Sequence, residues 1–189
     1  MRAVDAMGAS GAGRIQTFKA SDLAELARVS EEAWRRIEAR EPAYALRLTR
    51  AALLEGVLDV RREVEGRNVQ TNAWRTAKWQ ALRDGTSLRI THLEVGTGSG
   101  TPNRADTGIS GALAPRKAVT DVVVDGDEYL RTSTFLTSAD YAGQTLTRGG
   151  LWTSITGGTL VNHLAWASPL EKLATESAIA EINLREVPV

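Results

Sequence analysis

Four kinds of residue in this chain have types and spacings that invite a chemical reading: a glycine run, two histidines, the hydroxyl residues and five tryptophans. The glycine run, Val95-Gly96-Thr97-Gly98-Ser99-Gly100-Thr101-Pro102, resembles a phosphate loop at first sight. Such a loop needs a helix N-terminus directly after the glycines, so that backbone N–H groups and the helix dipole face the anion, and usually a lysine. Here Pro102, Asn103 and Asp106 follow without helical periodicity. The run therefore reads as a tight loop leaving a strand. His92 and His163 are far apart in sequence, and each lies in a strand-like segment. A zinc site would need further ligands. The chain has no cysteine, which excludes disulfides and thiolate metal sites. No serine sits in a nucleophile elbow, and paired carboxylates cannot be picked from 23 acids by spacing. The expectation is a protein without catalytic, metal or cofactor residues, and not an enzyme.

Five of the ten aromatic residues are tryptophan: Trp34, Trp74, Trp79, Trp152 and Trp166. A flat indole serves equally as a core anchor, an interface anchor or a platform for a sugar face. Trp74 and Trp152 sit in periodic apolar context and read as core. Trp79 falls off the Trp74 helix face and reads as an interface residue. Trp79 and Trp166 are the candidate sugar platforms.

The elements that would position these residues change character along the chain. Residues 1–20 open with Gly8, Gly11 and Gly13 among small residues, and read as a flexible Gly-rich N-terminus. Residues 21–67 read as a helical arm of two helices. Ser21 or Asp22 caps the first, Leu23, Leu26, Ala33, Trp34 and Ile37 recur at helical spacing, and Pro42 ends it. The second runs from about Ala43 to Glu65, with Gly66 as its stop. Its apolar positions, Leu46, Leu53, Leu54, Val57, Leu58, Val60 and Val64, form a stripe too wide for one partner helix. A third surface must cover it, either the rest of the chain or another copy.

Residues 68–189 read as a β-sandwich with one packed short helix, capped by Thr71 or Asn72 and ended by Gly85. Strand segments are expected at 87–95, 119–124, 129–136, 144–152, 159–166 and 178–187, with a turn at Asp125-Gly126-Asp127. The fold class is thus α+β: a helical arm, then an antiparallel β-sandwich.

Formal net charge is zero, and acids and bases are interleaved. Nothing in that balance drives the chain to nucleic acid or an anionic membrane. No run approaches the ~20 apolar residues of a membrane helix, and Met1 to Gly13 lacks the apolar core of a signal peptide.

From about Asn68 onward, several pieces in order resemble the N-terminal attachment domain of phage tail-collar fibre proteins and related small phage tail proteins. Thr71-Asn72 opens a short helix that closes at Asp84-Gly85. Leu88 to Gly98 is similar to that family's strand running into a glycine loop, and Thr101-Pro102 with Ala105-Asp106-Thr107 to the loop itself. Arg116-Lys117-Ala118-Val119 resembles the next strand's basic start. Gly149-Gly150-Leu151-Trp152 and Gly157-Gly158-Thr159-Leu160 resemble the late strand ends. Where the family often has an acid before its late glycine, this chain has Arg148.

The resemblance implies a structural virion component of the tail, baseplate, neck or fibre attachment. It would be assembled in the host cytoplasm, dock on other virion proteins and associate as a homo-oligomer, a trimer by analogy. The chain carries no fibre shaft or receptor-binding tip, so docking is expected more than host recognition. A glycan-binding module of the particle is the alternative. The docking or oligomer interface is expected to use Leu46, Leu53, Leu54, Val57, Leu58 and Trp79.

Overall fold

A computed structural model describes residues 10–125 and 129–185. Gly126 and Asp127 of the expected turn and the last residues of the expected 178–187 strand fall outside these. Strand β1 (Ser10–Lys19) comes first, where a flexible lead was expected, and lies antiparallel between β2 (Arg62–Gln70) and β9 (Glu176–Arg185). Its glycines mark close approach, not freedom. A Cβ on Gly11 would stand 1.8 Å from the Asn183 carbonyl oxygen, and one on Gly13 would stand 2.7 Å from a Leu164 methyl. The gap over Gly11 lets the Asn68 side chain cross β1. Its Oδ1 accepts from Gly11 N (3.0 Å) while its Nδ2 donates to Asn183 O (2.9 Å), so one amide ties three strands.

Three helices fill the β1–β2 connection: α1 (Ala20–Leu26), α2 (Glu31–Arg40) and α3 (Pro42–Leu54). Ser30 caps α2 by accepting from Ala33 N. Pro42 does end the preceding helix, and it also starts the next one at a position where its missing N–H costs nothing. The second helix was expected to reach Glu65. It stops at Leu54, and Arg62–Gln70 is a strand with strictly alternating exposure at its start. The wide apolar stripe arose from adding loop and strand residues to a helix.

Helix α4 (Asn72–Asp84) lies where its caps placed it. Thr71 accepts from Trp74 N (3.1 Å), and Gly85 closes the end in the left-handed conformation. The remaining strands are β3 (His92–Gly96), β4 (Ala112–Ala118), β5 (Asp121–Asp125), β6 (Tyr129–Leu136), β7 (Gln144–Trp152) and β8 (Leu160–Lys172).

The described strands form one sheet of nine, in the order β4-β3-β7-β8-β2-β1-β9-β6-β5, all antiparallel. This replaces the two-sheet sandwich of the sequence reading with a single curled sheet. The curl follows from connectivity. The edge strands β4 and β5 are joined by Val119 and Thr120 alone, a link that reaches about 11 Å at most. In a flat sheet of nine the edges would lie about 38 Å apart. The link itself switches partners: Val119 N donates to Thr91 O beside β3, and Thr120 N donates to Ser133 O of β6 (2.8 Å each). A single run of chain thus leaves one edge and joins the other.

The curl gives the strands an inner and an outer face. Ile15, Leu93, Leu136, Leu151, Leu164, Trp166, Ala180 and Ile182 pack inside, where Trp74 of α4 joins them. Their chain neighbours Phe135 and Ile179 point outward. With Phe18 they meet Trp34, Leu46 and Ala52 of α2 and α3 in a second core. The expected helical arm is therefore packed on the sheet, not carried as a separate unit. Arg50 of α3 adds polar bonds to the same face, donating to Asp121 Oδ2 and Glu181 Oε1 (2.8 Å each) and to Ser133. Burial alone would raise the Glu181 carboxyl, but the hydrogen bonds from Arg50 and Arg14 outweigh it and hold the pKa below its ordinary value.

The arm boundary expected at residue 68 passes through β2. A fragment starting there lacks β1 and most of β2, which join β8 to β9 at the middle of the sheet. A change of character near this point implies that residues from about 70 onward fold alone; the sheet order predicts that they do not. Calorimetry of the fragment should show no cooperative transition, whereas a sharp two-state melt would mean that β3 to β9 make a self-sufficient core.

Candidate docking surface

The glycine run leads into a strapped-down loop, 97–111, between β3 and β4. Thr97 N donates to Gly111 O (3.0 Å) and Gly98 N to Ser110 O (3.1 Å), so these amides are spent on the loop itself. Thr147 Oγ1 donates to Gly98 O (2.6 Å), and Arg148 donates to Gly100 O. Arg148, the departure from the attachment-domain pattern, thus fastens the glycine loop.

His163 lies beneath the same loop, its Nδ1 2.5 Å from Asp106 Oδ2, which also accepts from Asn103 N. His92 sits two strands away, beyond β7, with Thr91 Oγ1 2.8 Å from its Nδ1. Burial and the nearby Arg116 guanidinium lower its pKa. The two histidines are not brought together. Among the described residues no group of three His, Asp or Glu is placed to hold a metal, and no helix is long and apolar enough to cross a membrane.

Trp152 is buried, but on the opposite sheet face from Leu151. It packs with Ile109 of the loop and Leu160, and the Arg116 guanidinium stacks 3.4 Å from its ring centroid. Arg116 is held in turn by Glu94 Oε1 (3.1 Å) and by the carbonyls of Ser154 and Gly157. The reading of Trp152 as inward-facing core is corrected in this respect: it anchors a loop from outside. Trp166 is buried in the inner core and offers no platform to a sugar.

A polar cluster links α2 to the sheet. Glu38 is almost wholly buried; its carboxylate accepts from Ser138 N (2.9 Å), Ser138 Oγ and Ser177 Oγ (2.5 Å each). Nearby, fully buried Lys172 donates to the carbonyls of Thr137 (3.0 Å), Ser138, Leu173 and Glu176. These groups are satisfied by hydrogen bonds within the fold, and they serve to fix helix to sheet.

The six residues expected at an interface divide in half. Leu46 and Leu58 are buried in the outer core, and Leu53 is half-buried against it. Leu54 is 89% exposed, Val57 58% and Trp79 71%. Leu46, Thr49 and Leu53 share the helix face turned to the sheet, and Leu54 falls roughly 110° from the centre of that face. Leu82, 73% exposed beside Trp79 on α4, was missed because it carries no aromatic signal. Two outward apolar patches result. One is at the end of α3, where Val57 borders a groove of about 530 Å³ with Asp22, Glu25, Arg28 and Asp59, while Leu54 borders a separate groove with Arg14, Arg50, Arg131 and Glu181. The other, Trp79 and Leu82, lies on α4.

No protein-family model matches the chain, and neither the curated proteins nor the solved structures give a match.

Two outcomes follow. Trp152→Ala should cost about 3–5 kcal/mol in denaturant unfolding and open the 97–111 loop to protease; a loss near zero would place the ring at the surface. Burial pulls the Lys172 amine down from 10.5 to about 8, against the opposing pull of Glu38, Asp140 and Glu176. Between those values the unfolded chain binds more protons than the folded one, so stability rises with pH through that window. Unfolding free energy should grow by about 2 kcal/mol from pH 7 to pH 9.5, and Lys172→Met should flatten the slope. An equal slope in that variant would assign the effect elsewhere.

Proposed function

We propose that this chain is a non-enzymatic structural component of a tailed-phage particle, one that docks on neighbouring virion proteins. The observation that carries the docking reading is the outward Trp79–Leu82 pair on a helix fixed at both ends. Thr71 and Gly85 cap α4, and Trp74 anchors it in the inner core. Large apolar side chains held rigidly in water are costly unless something covers them, and rigid aromatic anchors dominate protein interfaces. The phage setting rests on the resemblance of residues from about Asn68 onward to tail-collar attachment domains. In its support, the short helix, the strand entering the glycine loop and the late Gly-Gly-Leu-Trp strand occur in that order in the fold. The trimer expected by analogy with fibre proteins is part of the same proposal.

The glycan-binding alternative keeps one specific observation in its favour, the exposed ring of Trp79. Particle fractionation and a glycan array separate the two. The docking reading expects tagged wild-type chain to sediment with particles, Trp79→Glu to remain in the soluble fraction, and the array to stay blank. Wild-type chain that never enters particles but binds a glycan through Trp79 would sink it.

A further inference from the structure

The groove beside Leu54, of about 480 Å³, has more donors than acceptors. Arg14 of β1, Arg50, Leu53 and Leu54 of α3, Arg131 of β6 and Glu181 of β9 line it. Glu181 carries the one carboxylate among these residues, and both of its oxygens are taken. Oε2 accepts from Arg14 (2.6 Å), while Oε1 accepts from Arg50 (2.8 Å) and Ser133 Oγ (3.3 Å). Arg50 gives its other terminal nitrogen to Asp121. Gln16, also in the lining, donates to Glu63 of β2, which lies beyond β1 from Arg131. Arg131 differs from these groups. Among the described residues it makes no hydrogen bond and no ion pair. It alternates with Ser133 onto the outer face of β6. Its Nε is enclosed without a partner. Packing of the stem, not a bond, therefore holds the guanidinium, and its terminal nitrogens are what it offers the groove.

We propose that this groove docks an acidic segment of another protein, with an aspartate or glutamate on Arg131 and an adjacent apolar side chain on Leu53 and Leu54. A guanidinium whose terminal N–H groups are free matches a carboxylate through two parallel hydrogen bonds. Arg14 spends one nitrogen on Glu181 and leaves further N–H groups for the same ligand. The apolar wall is already present in exposed Leu54 and half-buried Leu53. A basic segment would meet Arg131 and find no open carboxylate in the lining. The site shares no residue with the Trp79–Leu82 pair, so either can exist without the other.

The test is an NMR titration of the full chain, followed at the arginine side-chain Nε–H signals. The probes are synthetic peptides of about eight residues with capped ends, a length suited to a groove of this kind. Each has a Gly-Ser framework around a central Leu-Glu, Leu-Gln, Gly-Glu or Leu-Arg pair. Leu-Glu should shift the Arg131 signal and bind about tenfold tighter than Leu-Gln or Gly-Glu. Leu-Arg should not bind. Arg131→Gln should remove the preference for Glu over Gln. Leu54→Ser, at an exposed position, should remove the preference for Leu-Glu over Gly-Glu and keep that for Glu over Gln. Circular dichroism checks that both variants stay folded; if Arg131→Gln does not, the wild-type Arg131 signal decides alone. The proposal is overturned by a wild type that shows no shift with Leu-Glu at roughly 10 mM, beyond the weak end of specific binding. Equal binding of Leu-Glu and Leu-Gln, or an undiminished preference in Arg131→Gln, overturns it as well. Inorganic phosphate that shifts the Arg131 signal while no peptide does would make this a free-anion site and overturn the docking of an acidic segment.

Discussion

Leucine 164 sits where the rest of the sheet depends on it. Its side chain, wholly buried, packs over glycines from three neighbouring strands: Gly13 of β1, Gly66 of β2 and Gly149 of β7. An added Cβ would come within 2.7 Å of its methyls at Gly13, 3.0 Å at Gly66 and 3.7 Å at Gly149. Glycine in a strand interior costs roughly 0.5–1 kcal/mol relative to alanine. Burying a leucine contributes about 1.5–3 kcal/mol. The two roughly cancel across three glycines, so the net gain lies in what the bend encloses. The sheet that carries this track curls far enough for β4 and β5 to be joined by two residues.

The outer layer depends on the same curvature. Residues such as Phe135 and Ile179 are apolar although their immediate neighbours already fill the inner core. A strand apolar on both faces must be covered on both. Helices α1 to α3 provide the outer cover, and Glu38 and Arg50 add directional bonds that fix where they sit. The exposed residues Leu54 and Val57 lie where that cover ends.

The short helix was legible in full, because Thr71, Trp74 and Gly85 act locally: a cap, an anchor and a stop. The strands at 129–136 and 144–152 were legible from their alternation and flanking turns. The first strand was not, since Gly11 and Gly13 carry the same composition signal whether a segment is loose or tightly packed. Only the position of Leu164 and Asn183 in space tells the two apart. The second strand was hidden by reading Val57, Leu58, Val60 and Val64 as helix, although Arg62 to Gln70 alternates in steps of two. The single sheet was beyond reach for a different reason. Strand order is a long-range property: β1–β2, β3–β4, β5–β6 and β7–β8 pair as neighbours in sequence, but the pairings β1–β9, β2–β8, β3–β7 and β6–β9 that join them into one sheet leave no mark in the spacing of strands and turns. The exposure of Trp79, though not any role for it, was legible from its offset against Trp74. Leu46 and Leu58 were drawn in by a stripe that is not one helix.

The pairing of β1 with β9 has a bearing on how the protein is made. Lys19 and Glu176 are partners in that ladder, and Gly13 faces Ile182. The earliest described strand therefore waits for the latest one. During synthesis on the ribosome this wait lasts on the order of ten seconds, with the apolar faces of β1 and β2 uncovered throughout. Pairings of such long sequence separation also form slowly once the chain is free. A nascent or truncated copy lacks the central ladder, and with it the frame that holds α1, α3 and α4 in place.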